Sequence, residues 1–104
     1  MASFDGKVVI ITGGALGIGQ ATAWEFAKEG AMVAIADVNR DAGEATVAEV
    51  QRLGGQGLMV EADVSDSVDC RRVVEATVER FGGVDILFNN VGIQPPASLS
   101  LIHI

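Results

Sequence analysis

Tyrosine is absent from these 104 residues, cysteine and histidine occur once each, and proline twice. The lone cysteine, Cys70, excludes an internal disulfide and fits a reducing compartment. The lone histidine, His103, has no Cys, His or carboxylate beside it in sequence, so it reads as neither metal ligand nor base. Basic residues number 7 against 14 acidic ones. The resulting net charge of −7 argues against nucleic acid, whose phosphates would repel it, and against a polybasic membrane contact. Ordinary solubility accounts for the acidity. No apolar run reaches the ~18 residues of a membrane span. The first seven residues lack the basic and apolar stretches of a signal peptide. A cytoplasmic protein with no nucleic-acid, membrane or metal partner is expected.

What is present is a chain 49% hydrophobic, long enough for one small domain with a modest core. Its organising stretch is Thr12 to Gly19, Thr-Gly-Gly-Ala-Leu-Gly-Ile-Gly. It follows Val8-Val9-Ile10-Ile11, a β-branched run that reads as a strand buried on both faces. It precedes Gln20 to Lys28, an Ala-rich run that reads as a helix. The glycines therefore fall at a strand-to-helix turn, where a backbone without Cβ turns tightly and approaches a ligand closely. The unpaired N–H groups and positive dipole end of the helix suit an anion such as a pyrophosphate. A phosphate loop of the Gly-Lys-Ser/Thr type is excluded, because no such triplet follows. A glycine-rich turn with no ligand remains the plain alternative.

Further along, Met32 to Ala36 reads as a second buried strand ended by Asp37, with Asn39 or Asp41 to cap a second helix. Ala42, Thr46, Val50 and Leu53 form a single stripe on that helix, facing the sheet. Gln56 to Glu61 is a third strand, with Asp63-Val64 beyond its end. Ser65 is the expected N-cap of a third helix reaching about Phe81. The apolar face of that helix is Cys70, Val73, Val74, Thr77, Val78 and Phe81, so Cys70 reads as a small core residue and not as a nucleophile. Val84 to Phe88 is a fourth buried strand, followed by Asn89-Asn90-Val91-Gly92 and the break at Pro95-Pro96.

The order β-α-β-α-β-α-β predicts an α/β protein with a doubly wound parallel sheet, strand order 3-2-1-4. The winding direction reverses between strands 1 and 4, and a ligand crevice is expected there. Thr12 to Gly19 and Asn89 to Gly92 both end strands that flank it.

Asp37 stands 18 residues beyond Gly19 at the end of the second strand. A carboxylate there accepts hydrogen bonds from an adenosine ribose diol and repels a 2′-phosphate. No basic residue occupies the glycine turn or position 38, so NAD is preferred over NADP, with Arg40 close enough to keep this a preference. Asp37 as a turn residue capping the next helix is the competing reading.

The sequence Thr-Gly-Gly-x-x-Gly-Ile-Gly resembles the cofactor turn of the short-chain dehydrogenase/reductase family. Asp63-Val64 resembles that family's acidic-apolar pair after strand 3, which holds the adenine ring. Asn89 to Gly92 resembles its Asn-Asn-Ala-Gly, with Val91 in the Ala place. Asp63 as an N-terminal helper of the third helix, and Asn-Asn-x-Gly as an ordinary turn, stay open. The resemblance covers nearly the whole chain to about Gly92. It implies a Rossmann-type fold and hydride transfer between nicotinamide and an alcohol or carbonyl, in a parent that is a homo-oligomer. It also implies cofactor contacts from Gly13, Gly17, Ile18, Gly19, Asp37, Asp63, Val64, Asn90 and Gly92.

The family's reaction uses an Asn, a Ser and a Tyr-x-x-x-Lys. Here there is no tyrosine, the only lysines are Lys7 and Lys28, and Ser98 and Ser100 come too early to match. No catalytic residue carries over. The chain is expected to be the N-terminal cofactor-binding part of an enzyme, truncated after the fourth strand. Residues 1–97 form a partial dinucleotide-binding domain, and 98–104 a tail that departs from the family's pattern and reads as non-native. Ile86, Leu87 and Phe88 are then expected on an exposed edge strand. A non-catalytic dinucleotide-binding module is the alternative from another class, and an incomplete chain that neither folds stably nor binds is a third.

Overall fold

The computed structural model describes residues 4–90 and 102–103. Its strands are β1 (Val8–Thr12), β2 (Met32–Asp37), β3 (Gln56–Glu61), β4 (Ile86–Asn89) and β5 (Ile102–His103). Its helices are α1 (Gly17–Lys28), α2 (Arg40–Arg52) and α3 (Ser67–Phe81). All strands are parallel, in the order β3-β2-β1-β4-β5. The doubly wound sheet with order 3-2-1-4 is thus present, and β5 adds two residues beyond β4, pairing Ile86 with Ile102 and Leu87 with His103.

Side chains alternate across the sheet, so β1 feeds two cores. Val9 and Ile11 pack with Val33 and Ile35 of β2 on one face, covered by Ala23 and Ala27 of α1 and Val47 and Val50 of α2. Ile10 packs with Ala34, Ala36 and Leu87 on the other, covered by Val73 of α3. Burial on both faces is why these strands are continuous apolar runs. The switch of face between α1/α2 and α3 is the reversal that opens a crevice at the C-terminal ends of β1 and β4.

Three local boundaries and one helix-face residue differ from expectation. Helix α1 begins at Gly17 and not at Gln20, so the glycine turn runs straight into the helix. Helix α3 is capped by Asp66, whose carboxylate accepts from the Val68 and Asp69 amides. Ser65, the expected cap, is held by Asp63 instead. Val78 is 41% exposed, because α3 turns Val73 and Thr77 inward and Val78 lies beside that stripe. Strand β4 starts at Ile86, two residues later than expected. Asp85 ahead of it exchanges hydrogen bonds with Val8, accepting from the Val8 amide through its carboxylate (2.9 Å) and donating its own N–H to the Val8 carbonyl (2.9 Å).

Candidate functional site

The site begins where β1 ends. The Gly13 amide donates to the Ala36 carbonyl at 2.8 Å, so the turn leaves the sheet still paired to β2. Two glycines of this turn are required for different reasons. Gly17 has φ +63° with open space where a Cβ would project. Gly19 sits inside α1, where a Cβ would lie 2.1 Å from the Gly13 carbonyl oxygen. The helix therefore backs directly onto the first peptide of the turn. Leu16, the N-cap of α1, supplies no side-chain hydrogen bond to the helix start. Leu16 and Ile18 are exposed there, Ile18 to 71%.

The turn is braced from α2. The Ala15 carbonyl accepts from Gln20 Nε2 (3.3 Å) and from the hydroxyl of Thr46 (3.2 Å), which is fully buried. Gln20 also donates to the Thr46 hydroxyl at 3.2 Å.

Asp37 ends β2 beside the turn. One carboxylate oxygen accepts from the Ala15 amide (3.2 Å), the other from the Asn39 amide (2.9 Å). The cap of α2 is Asn39, whose side chain accepts from the Ala42 amide at 3.0 Å, so Asp37 is not the helix cap. A carboxylate has about four acceptor positions, and these two bonds leave capacity over. With Gly13, Val38, Asp63 and Val64, Asp37 lines a cleft of about 260 Å³. That lining carries no lysine or arginine.

Asp63 accepts from the Ser65 hydroxyl (2.6 Å) and the Ser65 amide (3.0 Å) through one oxygen. Those bonds, the hydroxyl's first, hold its carboxyl below the ordinary aspartate value. Its amide donates to Asp69 at 2.8 Å. Val64 is half-buried, and its carbonyl accepts from the Cys70 thiol at 3.0 Å. Burial, and then Asp66, Asp69 and Asp63, push that thiol above its ordinary value, which suits a packing residue and not a nucleophile.

Thr12 joins the two clusters that are far apart in sequence. Thr12 is 1% exposed, and its hydroxyl donates to the Asn89 side-chain oxygen at 3.3 Å and accepts from the Asn90 amide at 2.9 Å. Asn90 Nδ2 donates to the Gly13 carbonyl at 3.4 Å. Gly92, also expected at the site, lies outside the described residues. Gln20 and Thr46 were not anticipated as site residues, and Thr12 was expected only as the first residue of the turn, not as the link to Asn89 and Asn90. The signal for the two threonines is a hydroxyl on an otherwise apolar strand or stripe, since a buried hydroxyl needs a partner; Gln20 carries no such signal. Among the described residues no group of three or more His, Cys, Asp or Glu is set to hold a metal ion.

The profile of the family described as short chain dehydrogenase matches residues 7–103. The chain belongs to that family. Its similarity to individual members is strong along the matched part. A 2,5-dichloro-2,5-cyclohexadiene-1,4-diol dehydrogenase of Sphingobium indicum is 45% identical over 91 residues, which is 88% of this chain and 36% of that protein. An NAD⁺-bound xylitol dehydrogenase superposes with a TM-score of 0.83 at 39% identity, covering 88% of this chain and 35% of that one. A 7α-hydroxysteroid dehydrogenase complexed with NADH and 7-oxo glycochenodeoxycholic acid gives 0.83 at 37% identity, covering 93% and 39%. This short-chain dehydrogenase sequence thus spans little more than a third of the relatives it matches.

Proposed function

We propose that this chain is the N-terminal, cofactor-binding part of an NAD-dependent short-chain oxidoreductase whose parent acts on a small alcohol or carbonyl substrate. The observation that carries the reading is Asp37: a carboxylate with spare acceptor capacity at the end of β2, in a cleft with no cation in its lining. A ribose diol donates two hydrogen bonds to such a group, whereas a 2′-phosphate meets its charge.

The residues present fit a dinucleotide. Gly17 leaves open space at the start of α1, and that helix start has no side-chain cap, so its N–H groups suit a pyrophosphate. Gly13, Gly19 and Asn90 shape the turn that presents them; Val64 and Asp63 flank the adenosine end, and exposed Ile18 offers apolar cover. NAD, when bound, supplies or accepts a hydride at its nicotinamide ring. The NAD⁺ and NADH complexes of the two dehydrogenases support NAD as the cofactor. The chain has no tyrosine to serve as proton donor, and by itself it is expected to show no dehydrogenase turnover.

Titration of the chain with NADH and NADPH, followed by nicotinamide fluorescence, tests the reading. Tighter NADH binding is expected. Equal or tighter NADPH binding overturns the NAD assignment.

A further inference from the structure

We propose that Glu61 and Glu44 reinforce cofactor selectivity by holding Arg40, so that the cation closest to Asp37 in sequence is withheld from a phosphate on the adenosine ribose. This inference rests on the functional reading above. A guanidinium is a good phosphate ligand, and Arg40 is only three residues beyond Asp37, at the start of α2. Its position alone leaves NADP open. Its partners do not favour it.

Arg40 Nε lies 3.1 Å from Glu61 Oε1, and its Nη1 lies 3.4 Å from Glu44 Oε2. Glu44 is one turn further along α2. Glu61 ends β3 and is paired in register with Asp37. The guanidinium is therefore engaged from its own helix and from the sheet edge. Arg40 and Glu61 line a second cleft, of about 510 Å³, that shares Val38, Ala62 and Asp63 with the first. The other arginine of that cleft, Arg72, is engaged as well, donating to the Glu61 carbonyl and lying 3.6 Å from Asp69. The two adjoining clefts are lined by Asp37, Glu61, Asp63 and Asp69 against Arg40 and Arg72, so a dianionic phosphate meets net negative charge. The two Arg40 ion pairs are half exposed, which makes each a modest contribution and scales the expected effect.

The test is the double variant Glu44→Gln/Glu61→Gln, which keeps side-chain length and removes two charges. NADH and NADPH affinities are read by nicotinamide fluorescence on the full chain. NADPH should bind about three- to tenfold tighter than to the unaltered chain, with NADH changed less than about twofold, a scale set by two exposed pairs. Adding Arg40→Ala should erase the NADPH gain. If the double variant loses NADH binding, Glu44→Gln alone carries the same test with a smaller gain, since Glu44 is exposed on α2. An unaltered chain that prefers NADH, with variants whose NADPH affinity does not rise or whose gain survives Arg40→Ala, overturns this inference and leaves the functional reading standing. An unaltered chain that binds neither nucleotide overturns both.

Discussion

The Ala15 amide donates to the Asp37 carboxylate at 3.2 Å, across 22 residues of sequence. This bond ties the middle of the glycine turn to the end of β2. One side chain thus fixes the turn and presents a negative charge in the cleft beside it. Position and recognition are coupled at Asp37, and a substitution there acts on both.

Replacing Asp37 with alanine should weaken NADH binding by ~1.5–3 kcal/mol, the net worth of a hydrogen bond to a charged group. It should also lower folding stability by about 1 kcal/mol, because the Ala15 and Asn39 amides lose their acceptor. Asp37→Asn keeps one acceptor oxygen and should recover part of the stability but little of the preference for NADH over NADPH. Fluorescence titration and urea unfolding separate the two effects. An alanine variant with full NADH affinity would remove Asp37 from the site.

The two glycines of the turn should respond differently to alanine. Gly17→Ala meets no atom but must hold φ +63°, a cost of roughly 1–2 kcal/mol. Gly19→Ala places a methyl group 2.1 Å from the Gly13 carbonyl oxygen, so the helix or the turn must move. Its cost should exceed that of Gly17→Ala, with NADH binding abolished. Urea midpoints of the two variants check the order, and equal midpoints would contradict the close approach of α1 to the turn.

The parts of this architecture that depend on hydrophobic period were legible in the sequence. Val8 to Ile11 and Met32 to Ala36 read as strands buried on both faces, and their alternation with amphipathic helices led to the expected order 3-2-1-4, which the sheet shows. What was not legible turns on choices among chemically equivalent neighbours. Ser65, Asp66 and Ser67 are all good caps; Asp66 takes the role because Asp63 already engages Ser65. The bracing of the turn by Thr46 was hidden for another reason. Threonine on an apolar stripe looks like a β-branched core residue bonded only to its own helix, here the Ala42 carbonyl at 3.1 Å, until Gln20 and the Ala15 carbonyl are brought to its hydroxyl. Val47, buried on the same helix, fell outside the narrow stripe drawn from Ala42 to Leu53.

Thr46→Val isolates that brace. The shape is kept, the hydroxyl is lost, and Gln20 Nε2 and the Ala15 carbonyl each lose a partner. At a fully buried position this should cost ~1–3 kcal/mol of stability. NADH affinity should fall with it, although Thr46 does not line the cleft. A variant that is destabilised but binds NADH normally would show that the turn keeps its shape without the brace.

Asp63 gives a pH dependence of known sign. Its carboxyl is held below the ordinary aspartate value in the folded chain, chiefly by the Ser65 hydroxyl. It therefore contributes stability above the ordinary value, and that contribution fades as pH falls through the lowered one. Ser65→Ala should move the Asp63 midpoint upward, and carboxyl-carbon NMR titration reads it directly. A midpoint that does not move would mean the hydroxyl bond is not made in solution.

Strand β4 is paired unequally on its two edges. Its inner edge pairs with β1 over all four residues, Ile86 to Asn89. Its outer edge pairs with β5 over two, Ile86 and Leu87. Among the described residues the expected bare edge is thus paired for half its length, by a strand of two residues. Ile86 and Leu87 are buried and Phe88 is half-buried, so a fluctuation that detaches β5 opens an apolar strand edge to other chains. Each Å² of apolar surface left in water costs ~25 cal/mol, so a few hundred Å² is a large fraction of a net stability of ~5–15 kcal/mol. Amide exchange should accordingly be slowest in β1 and β2, which are paired along nearly their whole length on both edges, and faster in β4, which β5 pairs over two residues only. Size-exclusion chromatography should show association that rises with concentration, and a chain ending at residue 97 should associate at lower concentration still. A monomer at every concentration, with β4 amides protected as well as those of β1, would show that two residues of β5 suffice to close the sheet.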